Sequence, residues 1–182
     1  MGKGPVEVFN IYVDCLHDNA LEVMRRRVAE GGRDRKMVWL GDFNRHHPLW
    51  EAPRNAHMFT RANMSSAERL IDLMREAGME MVLPAGLPTL ENSAGNTTRP
   101  DNVFASTVLE GDFVRCKPCM EMRPSKADHF TILIELELDV RRVEREEKRL
   151  NYRKENWEEY RKKVERRLRD WKKEGPARIE DA

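Results

Sequence analysis

The hydrophobic period of the chain changes twice within its first 42 residues, and that change restricts the fold more than any other feature. VEVFNIYV, residues 6–13, is β-branched and aromatic, bounded by Pro5 before it and by Asp14 and Asp18 after it, and reads as a buried strand. From Asp18, a candidate N-cap, NALEVMRRRVAEGG sets Leu21, Met24 and Val28 on one helical face and stops at Gly31-Gly32. KMVWLG then returns to strand and ends at Gly41-Asp42. Strand, amphipathic helix and strand make one α/β unit, and in such units chemistry gathers at the strand ends.

The remaining pattern keeps α and β intermixed. Ser65 followed by Glu68 is a capping-box signature, and Ala67, Leu70, Ile71 and Met74 supply a buried stripe until Gly78. MEMVL reads as a short strand and PAGLPTLENSAGNTTRP as loop, because Pro, Gly, Asn, Ser and Thr dominate it. DNVFAS, DFVRC and FTILIELEL read as strands, the last with Ile132, Ile134, Leu136 and Leu138 alternating onto one face.

From Asp139 onward Arg, Lys and Glu take over, with Trp157, Tyr160, Val164, Leu168 and Trp171 spaced three and four apart. That spacing predicts a charged helix with one narrow apolar stripe, expected to pack on the domain or a neighbouring segment. The chain thus divides into an α/β domain over residues 1–138 and a charged helical extension or linker over 139–182. Its 182 residues suffice for one sizeable core and hardly for two. A formal charge of +1 gives no strong whole-molecule field toward or away from nucleic acid, so a binding surface has to be local. Cys15, Cys116 and Cys119 are too few for a disulfide framework, and no apolar run reaches membrane-spanning length. These features suit a soluble intracellular protein, nuclear or cytoplasmic.

Polar clusters sit where strands begin or end: NIYVD around Tyr12, GDFN with Asp42 and Asn44, RPDNVF with Asp101, and KADHF with Asp128 and His129. An Asp at a strand end can hold a hard cation through its oxygens, and an Asn amide can orient a phosphate or water without adding charge. A second carboxylate can fix the tautomer of a histidine. Taken singly, Gly-Asp after a strand is more often turn chemistry, a strand tyrosine is more often core, and the lone Cys116-x-x-Cys119 is a weak zinc signal even beside His46 and His47. Those two histidines read better as shaping the loop after GDFN, packed by Pro48 and Trp50, and Arg25, Arg26 and Arg27 read as a solvated helix face.

Order in the chain raises the weight of the clusters. The succession NIY, GDFNRHHPLW, TRPDNVF and KADHFTI resembles the endonuclease/exonuclease/phosphatase superfamily, which includes abasic-site endonucleases and pancreatic-type deoxyribonuclease. GDFNRHHPLW is most similar to the endonuclease domain of fungal non-LTR retrotransposons. The similarity runs from about Val6 to Leu138.

The resemblance implies a deoxyribonuclease I-like α/β sandwich of two mixed β-sheets flanked by helices. It also implies a Mg²⁺- or Mn²⁺-dependent phosphodiester hydrolase that nicks DNA, with a reverse transcriptase domain as a partner in the parent element. By position, Asp42 and Asn44 match the residues that engage the attacking water and the phosphate, and Tyr12 matches the active-site tyrosine. Asp128 matches the Asp near the metal, His129 the phosphate-contacting histidine, and Asp101 the carboxylate that bonds it. The family's metal-binding Glu and an Asn lie on strands before the one that begins here at Val6, and Glu7 does not match that Glu. Val13 stands where the relatives often carry Asn. The resemblance therefore implies a fold represented by about its C-terminal two thirds and a partly assembled site. A catalytically inactive nucleic-acid-binding remnant and a phosphatase of the same superfamily stand as alternatives.

Overall fold

The computed structural model describes residues 5–31, 35–138 and 156–174, with side chains in the last segment through residue 169. The chain divides into two units, Met1–Val140 and Arg141–Ala182. The expected charged stretch before residue 156 lies outside the described residues.

In the first unit, β1 (Val6–Tyr12) and β2 (Lys36–Asp42) pair in parallel, joined through α1 (Asn19–Ala29). This is the unit the change of period predicts, since parallel neighbours need a crossover. Leu21 and Met24 of α1 are buried, and Val28 packs partly buried on the same core. Asp18 occupies the N-cap position without a side-chain cap bond, because its carboxylate is engaged by two arginines instead.

β2 pairs antiparallel with β6 (Asp101–Ser106), which pairs antiparallel with β3 (Met79–Met81), so the mixed sheet runs β1-β2-β6-β3. Its two faces follow the period of two along each strand. Met37, Trp39 and Phe104 point to the helical side and join Leu21, Met24, Ala67, Leu70, Ile71 and Leu73 in one core. Val38, Val103 and Ala105 face the other way, with Leu83 and Leu109, against Cys116, Ile132, Ile134 and Leu138. That second layer is the antiparallel pair β7 (Phe113–Cys119) and β8 (Thr131–Leu136). Helices, mixed sheet and second sheet make the expected sandwich, the second sheet being antiparallel over its described strands. β6 is buried along its whole length because both faces are covered.

Two expectations need correction. The loop before Asp101 contains a small antiparallel hairpin, β4 (Leu90–Glu91) against β5 (Thr97–Thr98), with Gly95 at φ 78 in its turn. Strands of two residues carry too little periodicity to be seen in sequence. The second helix, α2 (Arg61–Ala77), starts four residues before Ser65. Thr60 is its N-cap, and its hydroxyl accepts from the Asn63 amide at 3.2 Å. Gly78 closes the helix in the left-handed region at φ 62, as its position predicts. No described helix is long and apolar enough to cross a membrane.

Candidate functional site

Tyr12 closes β1, Asp42 closes β2, and Asp101 opens β6. Parallel register sets Tyr12 beside Asp42, and antiparallel register sets Asp42 beside Asp101, so three residues distant in sequence meet at one end of the sheet. Gly41 makes this approach possible. A Cβ there would stand 2.0 Å from the Ile11 carbonyl oxygen, and the backbone has φ +134, a conformation that favours glycine. Tyr12 remains 66% exposed, so the alternative in which it is a core tyrosine is excluded.

Asn44 follows in the left-handed region at φ 48, where Asn is among the few tolerated side chains. Its amide N–H donates to Asp42 Oδ1 at 3.0 Å and its Nδ2 donates to the Val13 carbonyl at 3.1 Å. Val13 therefore serves the site through its backbone, its own N–H donating to the Asp42 carbonyl at 2.8 Å. Beneath this turn lies Arg45, a residue that sequence reasoning passed over. It is 2% exposed and donates to the carbonyls of Asn44 at 2.9 Å and Asp14 at 3.2 Å and to Asp18 Oδ1 at 2.7 Å. One guanidinium thus ties the loop after β1 to the loop after β2. Burial pushes the Asp18 carboxyl upward, but Arg45 and Arg69 outweigh it and hold it below the usual range.

The RHHPLW segment is a packed wall beside the site. Trp50 is buried, its Nε1 donates to the Arg45 carbonyl at 2.8 Å, and its ring lies edge-on to Phe104 at 6.4 Å. His47 is buried against Trp50, while Pro48 is exposed and does not share the packing assigned to it. His46 Nδ1 lies 3.0 Å from Glu51 Oε2. Glu51, which sequence reasoning missed, also accepts from Asn55 Nδ2 at 2.7 Å, the Arg99 amide at 3.0 Å and the Ala52 amide at 3.2 Å. Burial raises its carboxyl, yet these donors together hold it below the ordinary value. Arg99, fully buried, donates to Asn102 Oδ1 and to the carbonyls of Leu83 and Pro84, and burial lowers its guanidinium to about 10.

At the mouth, His129 Nδ1 lies 2.8 Å from Asp101 Oδ2. An ionised Asp101 can only accept, which puts the proton on Nδ1 and leaves Nε2 for a ligand. His129 is partly exposed and Asp101 is 9% exposed. Burial raises the Asp101 carboxyl, the nearby Asp42 charge adds to the rise, and the Thr89 and His129 hydrogen bonds oppose it. Thr89 fixes this corner, since its Oγ1 accepts from the Asp101 amide at 3.1 Å and its carbonyl from the Phe130 amide at 2.7 Å. No local signal in LPTLEN marks it, because its partners lie in β6 and next to β8. Asp128 is exposed and is held through its carbonyl, which accepts from the Glu91 amide at 2.9 Å.

Among the described residues no three His, Cys, Asp or Glu side chains come together to hold a metal ion. The described donors therefore do not fit a complete Mg²⁺ or Mn²⁺ site, and Asp128 by itself supplies a single carboxylate. Cys116 sits in β7 with its thiol pushed up by burial to about 11. Glu7 is bound by Arg35 and Arg27. Arg25 meets Glu76 and Glu22, and Arg27 also meets Glu30, which agrees with a solvated helix face.

The sandwich is of the DNase I-like class, and the chain is a member of the endonuclease/exonuclease/phosphatase superfamily. Within that class, it belongs to the endonuclease-reverse transcriptase family, whose model matches residues 6–133. Among solved structures it is similar to the endonuclease domain of TRAS1, a telomere-specific non-LTR retrotransposon, at 18% identity and TM-score 0.54 over 67% of this chain and 52% of that one. An AP endonuclease from Archaeoglobus fulgidus is 16% identical, with TM-score 0.54 over 72% of this chain and 61% of that one. A 3′-5′ exonuclease, NExo, from Neisseria meningitidis is 18% identical, with TM-score 0.50 over 66% and 52%. At these identities the likeness concerns the fold, and the chain spans 52–61% of the length of these structures. No curated protein matches it.

Proposed function

We propose that residues 1–138 form the DNA-facing part of a phosphodiester hydrolase of retrotransposon origin that nicks target DNA, and that residues 139–182 connect it toward a reverse transcriptase domain. The observation that carries the reading is the His129–Asp101 pair at 2.8 Å on the strand end that also holds Asp42. In this reading Asp101 orients His129, whose Nε2 contacts the scissile phosphate and stabilises the charge that grows on it. Asn44, fixed by Asp42 and Val13, positions a phosphate oxygen or the attacking water, and Tyr12 supplies a hydroxyl at the rim. Asp128 adds an exposed carboxylate beside His129.

A second reading is DNA binding without hydrolysis. The lack of a three-donor ion site among the described residues favours it. Dependence on Mg²⁺ or Mn²⁺ is therefore the variable of the test. The purified chain is incubated with supercoiled plasmid, with and without Mg²⁺, beside Asp128→Ala and His129→Ala, and binding is measured on the same DNA. Metal-dependent nicking that drops at least a hundredfold in both variants supports the hydrolase. Binding without nicking supports the second reading. A chain that hydrolyses a small phosphate ester and neither binds nor nicks DNA refutes both in favour of a phosphatase.

A further inference from the structure

A polar groove of about 520 Å³ lies between the 3₁₀ helix Pro53–Met58 and the β4–β5 hairpin, where Arg54, His57, Asn92, Asn96, Thr97 and Thr98 line it. Among the described residues no Asp or Glu lines it, in a chain that has 32 of them. The nearest acids in sequence are engaged elsewhere. Glu51 is buried beneath its own donors, and Glu91 accepts from Arg123 at 2.6 Å.

Arg54 is exposed, and its Nη2 donates to Thr97 Oγ1 at 2.9 Å, which sets the guanidinium across the groove. Its other nitrogens have no protein acceptor and it has no carboxylate partner among the described residues, unlike Arg25, Arg27, Arg69 and Arg75 on the helices. His57 is exposed and lines the same groove. The walls are fixed before any ligand arrives. Buried Asn55 donates to Glu51 Oε1 at 2.7 Å and to the Thr97 carbonyl at 2.8 Å, which ties one wall to the other. Asn92 Oδ1 accepts from the Ala94 and Asn96 amides at 3.0 and 2.9 Å, which holds the hairpin turn and leaves Nδ2 as a donor.

The hairpin also fixes the distance to the candidate site. Leu90 bridges to His129, and the Glu91 amide donates to the Asp128 carbonyl at 2.9 Å. Asn92 stands two residues beyond Leu90, about 7 Å along an extended chain, which is about two nucleotide steps of duplex axis. We propose that this groove holds the sugar–phosphate backbone of the DNA strand beside the scissile phosphate, with Arg54 paired to a backbone phosphate. The inference rests on the reading that this unit faces DNA, and adds a contact that positions the strand without reading its sequence. A lining this polar does not suit an apolar ligand. A single free oxyanion fills little of the groove, whereas a strand sets successive phosphates along it.

Fluorescence anisotropy of the full chain with two unrelated duplexes of about 20 bp, without Mg²⁺ and over roughly 50 to 200 mM KCl, reads this contact. Arg54→Ala is expected to weaken binding of both duplexes by the same factor, about five- to tenfold, and to reduce the salt slope by about 0.9, while Arg54→Lys keeps the slope. Asn96→Asp, nearly isosteric, is expected to weaken both about threefold by placing a like charge near the phosphates. Arg26→Ala is expected to change neither, since α1 returns the chain to the opposite end of the sheet. Circular dichroism and urea midpoints verify that each variant keeps its fold.

If the native chain binds DNA and Arg54→Ala binds it equally well with the same slope, this inference alone is overturned. A native chain that binds neither duplex overturns it together with the reading it rests on. An equal loss in Arg26→Ala also overturns it, because the effect then belongs to net charge. Unequal losses on the two duplexes overturn backbone contact in favour of base reading. Displacement of DNA by inorganic phosphate at constant ionic strength, from the native chain but not from Arg54→Ala, overturns it in favour of a free-anion site.

Discussion

Glu51→Ala tests whether the polar network behind the site is what holds the loop after β2. The Glu51 carboxylate is 4% exposed and serves three buried donors besides His46: the Arg99 amide, the Ala52 amide and Asn55 Nδ2. A buried donor left without a partner costs about 1–3 kcal/mol. Partial relaxation and water entry reduce the sum of the three to about 3–6 kcal/mol, a large share of the ~5–15 kcal/mol that stabilises a domain. With a urea slope of about 2 kcal/mol per molar, the midpoint is expected to fall by roughly 1.5–3 M. Glu51→Gln keeps the shape and one acceptor oxygen, and is expected to lose about a third to a half as much.

The pH dependence of this difference has a definite sign. The Glu51 carboxyl lies below its ordinary value of 4.5 in the folded chain. Its stabilisation is therefore fully present above that value and is lost as pH falls through the lower folded one. The gap in stability between the native chain and Glu51→Gln is expected to narrow as urea titrations move from pH 7 to below about 4.5. A midpoint change worth under about 1 kcal/mol for Glu51→Ala would falsify the network account and leave hydrophobic packing of Trp50 to hold the loop alone.

Two further changes test local geometry. Gly41→Ala places a Cβ 2.0 Å from the Ile11 carbonyl in a left-handed conformation, and is expected to cost about 3 kcal/mol or more in urea denaturation because strand backbone, not a side-chain tip, has to move. A cost below about 1 kcal/mol contradicts the close β1–β2 approach that brings Tyr12 beside Asp42. Thr60→Ala is expected to cost about 1 kcal/mol through the lost cap bond, and Ser65→Ala, inside the helix, under about 0.5 kcal/mol. The reverse order in thermal or urea melts restores Ser65 as the cap.

The sequence by itself determined the strand-helix-strand start, the buried stripe of α2, the strands β6, β7 and β8, and the order of the polar clusters. Each is written in local period or in a short contiguous motif, so neighbouring residues suffice to show it. It placed Asp101 and His129 as partners only through resemblance, and the tertiary structure put them 2.8 Å apart. Features that depend on distant partners were not legible. Thr60 took the cap from Ser65 because the helix extends one turn further. The β4–β5 hairpin needs its cross-strand register and its contacts to residues 128–130. Arg45, Glu51, Thr89 and Arg99 look in sequence like ordinary surface or turn residues. They become the site's framework because burial leaves backbone carbonyls and amides from separate segments in need of partners, and a charged or hydroxyl side chain at their meeting point is what satisfies them. That need exists only once the chain has folded, which is why the polar clusters and the resemblance they carry named the candidate residues, and only the fold named those that hold them in place.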